Sequence, residues 1–194
     1  MIGRRLVALA VAVPSLALAA LLIWGIVKSG GNPGSLFVND DLGEVAVTSG
    51  EDADFELVSL TGETIRLSDL TGQVVMVDFW STWCPPCIVE GPALAAAYRE
   101  FRELDVEFVG VAIWDQEGPV RDFVRRVGAE YPVVMDNKGA VAVDFGVRGL
   151  PEKFFVNREG RIVKKFIGPM SERELAAILN ELLQEPGPAR GGAE

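Results

Sequence analysis

The sequence predicts an α/β fold built on one sheet, and three features of residues 53–185 lead to that prediction. Predicted strands alternate with predicted helices along most of this range. Two of the strands, 74–80 and 106–113, are largely apolar runs of the kind found in strands buried on both faces. The range closes with a pair of strands and an amphipathic helix. We therefore expect a layered sheet covered by helices, in a domain large enough to bury a sizeable core.

The strands are predicted from apolar, β-branched runs that are bounded by turn residues. The first two flank Thr61-Gly62-Glu63 and predict an N-terminal β-hairpin with a three-residue connection. The last two flank the turn Asn157-Arg158-Glu159-Gly160. In chain order the predicted strands are 55–60, 64–67, 74–80, 106–113, 132–135, 153–156 and 162–167.

The helices are predicted from the spacing of apolar residues and from one cap. Val120, Phe123 and Val127 lie on one face of a helix over 118–128. The last helix begins with the capping box Ser171-x-x-Glu174, a common signal for a helix N-terminus. In chain order the predicted helices are about 85–104, 118–128, 138–145 and the one that follows Ser171.

The N-terminal segment, residues 1–28, is predicted to be a transmembrane anchor. Residues Leu6–Val27 are uncharged and mostly apolar, and a helix of that length reaches about 33 Å across a hydrocarbon core of about 30 Å. Arg4 and Arg5 precede the run, which favours a cytoplasmic N-terminus and an extracytoplasmic chain after Lys28. Cleavage as a signal peptide after Ala17-Leu18-Ala19 is the alternative.

Composition separates the rest of the chain into a stalk, a domain and a tail. Residues 29–52 are rich in Gly, Ser and acidic residues and predict a flexible stalk, residues 53–185 form the domain, and residues 186–194 predict a disordered tail. After Lys28 the chain has 28 acidic and 15 basic residues, a net charge of −13. Such a surface repels phosphates, so we expect no nucleic-acid partner.

The motif Trp83-Cys84-Pro85-Pro86-Cys87 contains both cysteines of the chain. It lies between a predicted strand and a predicted helix, where the helix N-terminus stabilises a thiolate at Cys84. Pro85 and Pro86 suit the first helical turn because their missing N–H groups have no partner there. We expect Cys84 to be the exposed, attacking sulfur and Cys87 to be shielded. The spacing indicates a redox-active disulfide.

Three other uses of two cysteines fit the sequence less well. A cross-link that closes so short a loop stabilises a fold by only about 2 kcal/mol. A zinc site usually needs four Cys or His ligands, and the chain has two cysteines and no histidine. Haem attachment requires a histidine after the second cysteine, where this chain has Ile88. We therefore expect no metal and no bound cofactor beyond the disulfide itself.

Together, the motif and the order of elements resemble the thioredoxin fold, in its membrane-anchored branch known as the TlpA/ResA/CcmG (DsbE) type. The resemblance covers about residues 53–185, and it includes an extra αβ segment at 118–135. Glu90 and Pro92 match a glutamate and a proline on the cysteine helix of that branch. Residues 146–152 resemble the Gly-Val-x-Gly-x-Pro-Glu segment of CcmG-like proteins, which implies that Pro151 is cis and lies against the disulfide.

The resemblance also suggests roles for two carboxylates and for the residues around the cysteines. Asp78 stands where many members carry asparagine, and its position on a buried strand predicts a buried carboxylate. Either Asp78 or Glu90 is expected to accept the proton of Cys87. The residues expected to contact substrate are Trp83, Pro85, Pro86, Leu150 and Glu152.

From these features we expect a thiol-disulfide oxidoreductase that is anchored in the cytoplasmic membrane with its domain outside. The resemblance implies reduction of apocytochrome c before haem attachment, with electrons supplied by a membrane thiol reductase of the CcdA or DsbD type. A disulfide-forming oxidase or isomerase is one alternative, and a Cu(I)-handling module is another. A peroxidase is disfavoured, because Val77 and Ser81 replace the proline and threonine of the peroxidase motif Pro-x-x-x-Thr-x-x-Cys.

Overall fold

The computed structural model describes residues 12–21, 23–24, 43–45, 54–185 and 187. The chain divides into two units, Met1–Phe37 and Val38–Glu194. In the first unit, residues 12–21 and 23–24 are helical and exposed (α1). Among the described residues, no helix combines the length and the apolar character needed to cross a membrane. Most of the predicted anchor, stalk and tail lies outside the described residues, so these three assignments stay predictions.

The described residues of the second unit form a six-stranded mixed sheet in the order β1-β8-β7-β4-β5-β6, and a separate hairpin of β2 and β3. At the centre, β4 pairs in parallel with β5 and antiparallel with β7. The predicted α/β sheet and the N-terminal hairpin are both confirmed. The strands are β1 (Gly43–Val45), β2 (Glu56–Val58), β3 (Thr64–Arg66), β4 (Val74–Trp80), β5 (Val106–Ile113), β6 (Val133–Asp136), β7 (Glu152–Val156) and β8 (Ile162–Ile167).

Strand β1 was not predicted. Its three residues lie in the range predicted as a flexible stalk, yet Gly43–Val45 pairs antiparallel with Lys165–Ile167 at the edge of the sheet. Too few residues are involved for an apolar pattern, and among the described residues β1 pairs only with β8. Gly43–Val45 is therefore a strand inside the range predicted as a flexible stalk.

The described residues of the second unit also contain four α-helices, and all four were predicted. Helix α2 contacts α3, α5 and β5, while α4 contacts β6. The predicted helix over 85–104 ends at Phe101 and continues as a 3₁₀ turn, Arg102–Leu104. Helix α5 has the complete capping box of Ser171 and Glu174. The helices are α2 (Pro85–Phe101), α3 (Glu117–Val127), α4 (Ala140–Asp144) and α5 (Glu172–Gln184).

The core surrounds β4 and β5, which sets the position of the cysteine motif. All seven residues of β4 are buried, and Phe79 packs edge-to-face against Phe154 of β7 at a ring distance of 5.6 Å. Because β4 and β5 are parallel, their carboxyl ends lie at the same edge of the sheet. The loop that follows β4 therefore lies beside the loop that follows β5. The first of these loops contains Cys84.

Candidate active site

The cysteines form a disulfide at the N-terminus of α2. The S–S distance is 2.04 Å, and Cys84 is the N-cap residue, whose sulfur accepts a hydrogen bond from the Cys87 N–H at 3.3 Å. Pro85 and Pro86 occupy the first helical turn, as predicted. When the disulfide is reduced, the positive end of the helix dipole favours a thiolate at the N-cap position.

One expectation for the cysteines is wrong, because Cys84 is not exposed. Both cysteines are buried in the disulfide form, Cys84 with 0% and Cys87 with 2% of its surface accessible. The exposed residues of the motif are Trp83, at 42%, and Pro85. Burial therefore does not distinguish the two sulfurs, and the prediction that Cys84 attacks now depends on its N-cap position alone.

The loop before Cys84 is fixed by Asp115, a residue that the sequence analysis missed. The Asp115 carboxylate accepts hydrogen bonds from the Thr82 amide at 2.5 Å, from the Thr82 hydroxyl at 3.0 Å and from the Ser81 hydroxyl at 3.1 Å. The Ser81 hydroxyl also lies 2.7 Å from the Ile113 carbonyl, its second acceptor. Polar residues just after two neighbouring parallel strands were the signal for this contact.

Trp114 brings a second exposed indole to this loop. The Trp83 Nε1–H donates to the Trp114 carbonyl at 3.2 Å, and Trp114 is 45% exposed. Trp114 has a φ of +48°, which is unusual for a bulky side chain. A Cβ at Gly139 would lie 2.5 Å from the Trp114 ring nitrogen, so only glycine leaves room for the indole.

The loop before β7 carries the predicted proline. The Leu150–Pro151 peptide is cis, as predicted, and both residues are buried. Glu152 accepts hydrogen bonds from the Arg148 and Gly149 amides at 3.1 and 3.2 Å. Lys165 Nζ lies 2.5 Å from the other Glu152 oxygen.

The prediction that Glu152 contacts substrate is corrected, because none of its surface is accessible. Its carboxylate is occupied by the amides of Arg148 and Gly149 and by the ammonium of Lys165. Lys165 also donates to the Gly146 carbonyl at 3.1 Å. Glu152 therefore fixes the shape of the loop 146–151 and can influence a substrate only through it.

Three buried charged residues form ion pairs around one ammonium, and we call Asp78, Glu90 and Lys153 the charge cluster. Lys153 Nζ donates to Glu90 Oε1 at 2.6 Å and lies 3.3 Å from Asp78 Oδ1, an ion pair that is not aligned as a hydrogen bond. Glu90 follows Cys87 by three residues on α2, so the two side chains project from the same side of the helix. The predicted burial of Asp78 is confirmed.

Burial dominates the titration of both carboxylates. Desolvation raises the pKa of Glu90 to about 7, and the charge of Asp78 adds to that effect, while Lys153 and the Met170 amide oppose it. Desolvation likewise raises the pKa of Asp78 against the attraction of Lys153. Two ionised carboxylates beside one ammonium would leave a net negative charge in the core, which is costly. A proton is therefore readily taken up by this cluster near neutral pH.

The arrangement can perform thiol-disulfide exchange. It has a sulfur pair at a helix N-terminus, and a buried carboxylate that can accept a proton lies one helical turn further along α2. In the described part of the chain, no group of three or more His, Cys, Asp or Glu side chains could hold a metal ion.

Comparisons with known proteins agree with this chemistry. Residues 50–165 match the AhpC/TSA family. The chain is 37% identical to the thiol-disulfide oxidoreductase ResA of Bacillus subtilis over 150 residues, covering 77% of this chain and 83% of that protein. It is 41% identical to ResA of Halalkalibacterium halodurans over 139 residues, covering 71% and 78%.

Solved structures give the same result for the fold. The thiol:disulfide interchange protein DsbE from Chlorobium tepidum matches with a TM-score of 0.66 at 29% identity, over 72% of this chain and 99% of that one. StoA from Bacillus subtilis matches with a TM-score of 0.58 at 30% identity, over 69% and 98%. The predicted thioredoxin-like fold is therefore confirmed.

Proposed function

Because the chain belongs to the AhpC/TSA family and is a thiol-disulfide oxidoreductase of the ResA/DsbE type, we propose that it reduces the disulfide of apocytochrome c. The observation that carries this proposal is the buried carboxylate of Glu90, one helical turn after Cys87. Such a group lets a buried resolving thiol lose its proton, which a reductant must achieve in every turnover. The similarity of residues 146–152 to CcmG-like proteins supports apocytochrome c as the substrate.

The reaction has two steps, and electrons balance across them. The thiolate of Cys84 attacks one sulfur of the substrate disulfide, forms a mixed disulfide and releases the other substrate sulfur as a thiolate. Cys87 then loses its proton to the charge cluster and attacks the Cys84 sulfur. The Cys84–Cys87 bond forms, the second substrate thiolate leaves, and two electrons have passed to the substrate.

The exposed residues around the disulfide supply the surface on which a substrate would dock. Trp83, Pro85 and Trp114 present exposed side chains. Pro86 is half-buried, and Leu150 is buried, so Leu150 can offer a substrate only its backbone. Asp115 and Glu152 hold the two loops that carry these residues.

We further propose that this reaction takes place on the outer side of the cytoplasmic membrane. The apolar run Leu6–Val27 with Arg4 and Arg5 before it supports a single-pass anchor. Electrons then come from a membrane thiol reductase of the CcdA or DsbD type, because a disulfide left after one turnover must be reduced again. The disulfide is the only redox group that the reaction needs.

The test compares two substrates for the reduced full-length protein in detergent. We expect faster reduction of an oxidised Cys-x-x-Cys-His peptide from an apocytochrome than of a protein with scrambled disulfides. Cys84→Ala is the control and should reduce neither. Preferential rearrangement of the scrambled protein, or oxidation of reduced clients, would instead support the isomerase or oxidase alternative. Tight binding of Cu(I) without disulfide exchange would support copper handling.

A further inference from the structure

Lys153 is a buried charged residue that has no direct role in the two-step disulfide exchange. It lies on β7, two residues after Pro151, and none of its surface is accessible. A lysine is almost never fully buried unless it is paired, since removing an ammonium from water costs several kcal/mol. The contacts that compensate for this cost therefore indicate what Lys153 does.

Among the described residues, the Lys153 ammonium contacts groups from three parts of the fold, and two of these groups are the candidate proton acceptors. From α2 it reaches Glu90 at 2.6 Å, from β4 it reaches Asp78 at 3.3 Å, and beyond β8 it reaches the Gly168 carbonyl at 3.3 Å. Asp78 and Lys153 are direct register partners in the β4–β7 pairing. A further titratable group nearby is the buried Tyr131, whose pKa is raised by burial and by the charges of Asp78 and Glu90.

Glu90 is fixed at both oxygens as a result. Its Oε1 accepts from Lys153 and its Oε2 accepts from the Met170 amide at 2.9 Å. Without the ammonium, Glu90 would keep one partner, and Asp78 would lose the only cation within ion-pair distance among the described residues. Two buried carboxylates with no cation would both remain protonated at neutral pH, because each resists ionisation and each repels the other's charge.

We propose that Lys153 is a positioning residue of the disulfide exchange, whose ammonium holds Glu90 and Asp78 in place and keeps one of them ionised to receive the Cys87 proton. The proposal rests on the proposed function, since only a reaction that passes through a mixed disulfide needs Cys87 to be deprotonated. Lys153 acts through the two carboxylates in this role and touches neither substrate nor sulfur.

The proposed step balances in atoms and charge. The S–H bond of Cys87 breaks, and its proton moves to a carboxylate of the charge cluster. The charge of the cluster rises by one unit while that of Cys87 falls by one unit, and the Cys87 thiolate displaces the substrate sulfur from Cys84. The charge cluster later releases that proton to the leaving thiolate or to water.

The experiment follows the resolution step directly by stopped flow. The reduced full-length protein is mixed with dithiobis-nitrobenzoate, whose coloured thiolate is released once when Cys84 attacks and once when Cys87 resolves. We expect Lys153→Met to raise the midpoint of the pH profile of the second phase by about 1–3 pH units, the usual effect of an opposite charge at this distance. At pH 7 the second phase should slow about tenfold or more, and it should recover at high pH.

The matched control is Lys164→Met, which removes a lysine that is also ion-paired with two carboxylates, Glu44 and Glu181, but on the surface side of β8. It should give the wild-type profile. A slower second phase at every pH with an unchanged midpoint in Lys153→Met would mean that Lys153 only supports the fold, and it would overturn the proposal.

A second measurement covers the case in which Lys153→Met does not fold. In the wild-type reduced protein, carbon NMR should show that the Lys153 Cε resonance titrates with the same midpoint as the Glu90 carboxyl carbon. A Lys153 Cε chemical shift that does not change as the Glu90 carboxyl titrates would refute the proposal. The aromatic disulfide probe is independent of the biological substrate, so a failure with the apocytochrome peptide would count against the proposed function alone.

Discussion

Replacing Glu90 with glutamine should stabilise the oxidised protein at alkaline pH while it impairs the resolution step. The folded protein holds the Glu90 proton up to a pKa of about 7, whereas an unperturbed glutamate has a pKa of 4.5. The folded state therefore binds more protons than the unfolded state between these values, and stability falls as the pH rises through this window. The stabilising contribution is fully present below pH 4.5 and is lost above pH 7.

The size of this effect follows from the two pKa values. Each pH unit in the window is worth about 1.4 kcal/mol, so the wild type should lose about 2.5 kcal/mol at this site between pH 5 and pH 8. Glutamine resembles the protonated carboxyl and does not titrate. The difference in unfolding free energy between Glu90→Gln and wild type should therefore move in favour of the variant by about 2.5 kcal/mol over that range.

Urea unfolding of the oxidised full-length protein at pH 5 and pH 8 measures this difference. With a slope of about 2 kcal/mol per molar urea, the variant midpoint should move by about 1 M relative to wild type. Glu100→Gln, at an exposed glutamate on the same helix, is the control and should follow the wild type. An equal difference between Glu90→Gln and wild type at both pH values would refute the raised pKa and, with it, the role of Glu90 as proton acceptor.

Four further outcomes are expected. Cys87→Ala should accumulate mixed disulfides through Cys84 on non-reducing gels and Cys84→Ala should accumulate none, because only Cys84 lies at the N-cap; the reverse pattern would contradict the assignment. Asp115→Ala should lower the free energy of unfolding by about 1–3 kcal/mol in urea titrations, because the donors of Ser81 and Thr82 lose a charged acceptor. An unchanged free energy of unfolding would show that the Asp115 hydrogen bonds do not stabilise the fold. Equilibration with dithiol buffers should place the potential of the cysteine couple below about −200 mV, since no histidine separates the cysteines, and a value near −120 mV would favour an oxidase. Protease added to spheroplasts should digest residues beyond Lys28 while the protein fractionates with membrane, whereas a soluble processed protein would exclude the anchor.

Much of the fold could be predicted because its signals are local. The apolar run of β4 and the capping box of Ser171 and Glu174 each lie within a few consecutive residues. Strand β1 could not be predicted, because the pairing that defines Gly43–Val45 as a strand is with β8, about 120 residues away. A three-residue edge strand of this kind has no recognisable strand pattern in its own sequence.

The residues of the candidate site likewise fall into those with a local sequence signal and those without one. The motif itself points to Cys84 and Cys87, because their spacing and the following prolines are adjacent in sequence. Lys153 was missed because a charged residue inside an apolar strand suggests an exposed position, whereas here it opposes Asp78 across two strands. Only the register of β4 against β7 reveals the pairing. The burial of Cys84 was also missed, since no pattern within the motif determines it.

Three residues with different roles in the site, Pro151, Glu152 and Lys153, are consecutive at the start of β7. Successive side chains of a strand point to opposite faces, so Glu152 and Lys153 diverge from the same segment of backbone. Glu152 turns to the loop that ends at Pro151, and Lys153 turns to Glu90 and Asp78. The loop that ends at Pro151 and the position of the Lys153 ammonium therefore depend on the same stretch of backbone. Formation of the mixed disulfide and placement of the proton acceptor would then depend on the same three residues.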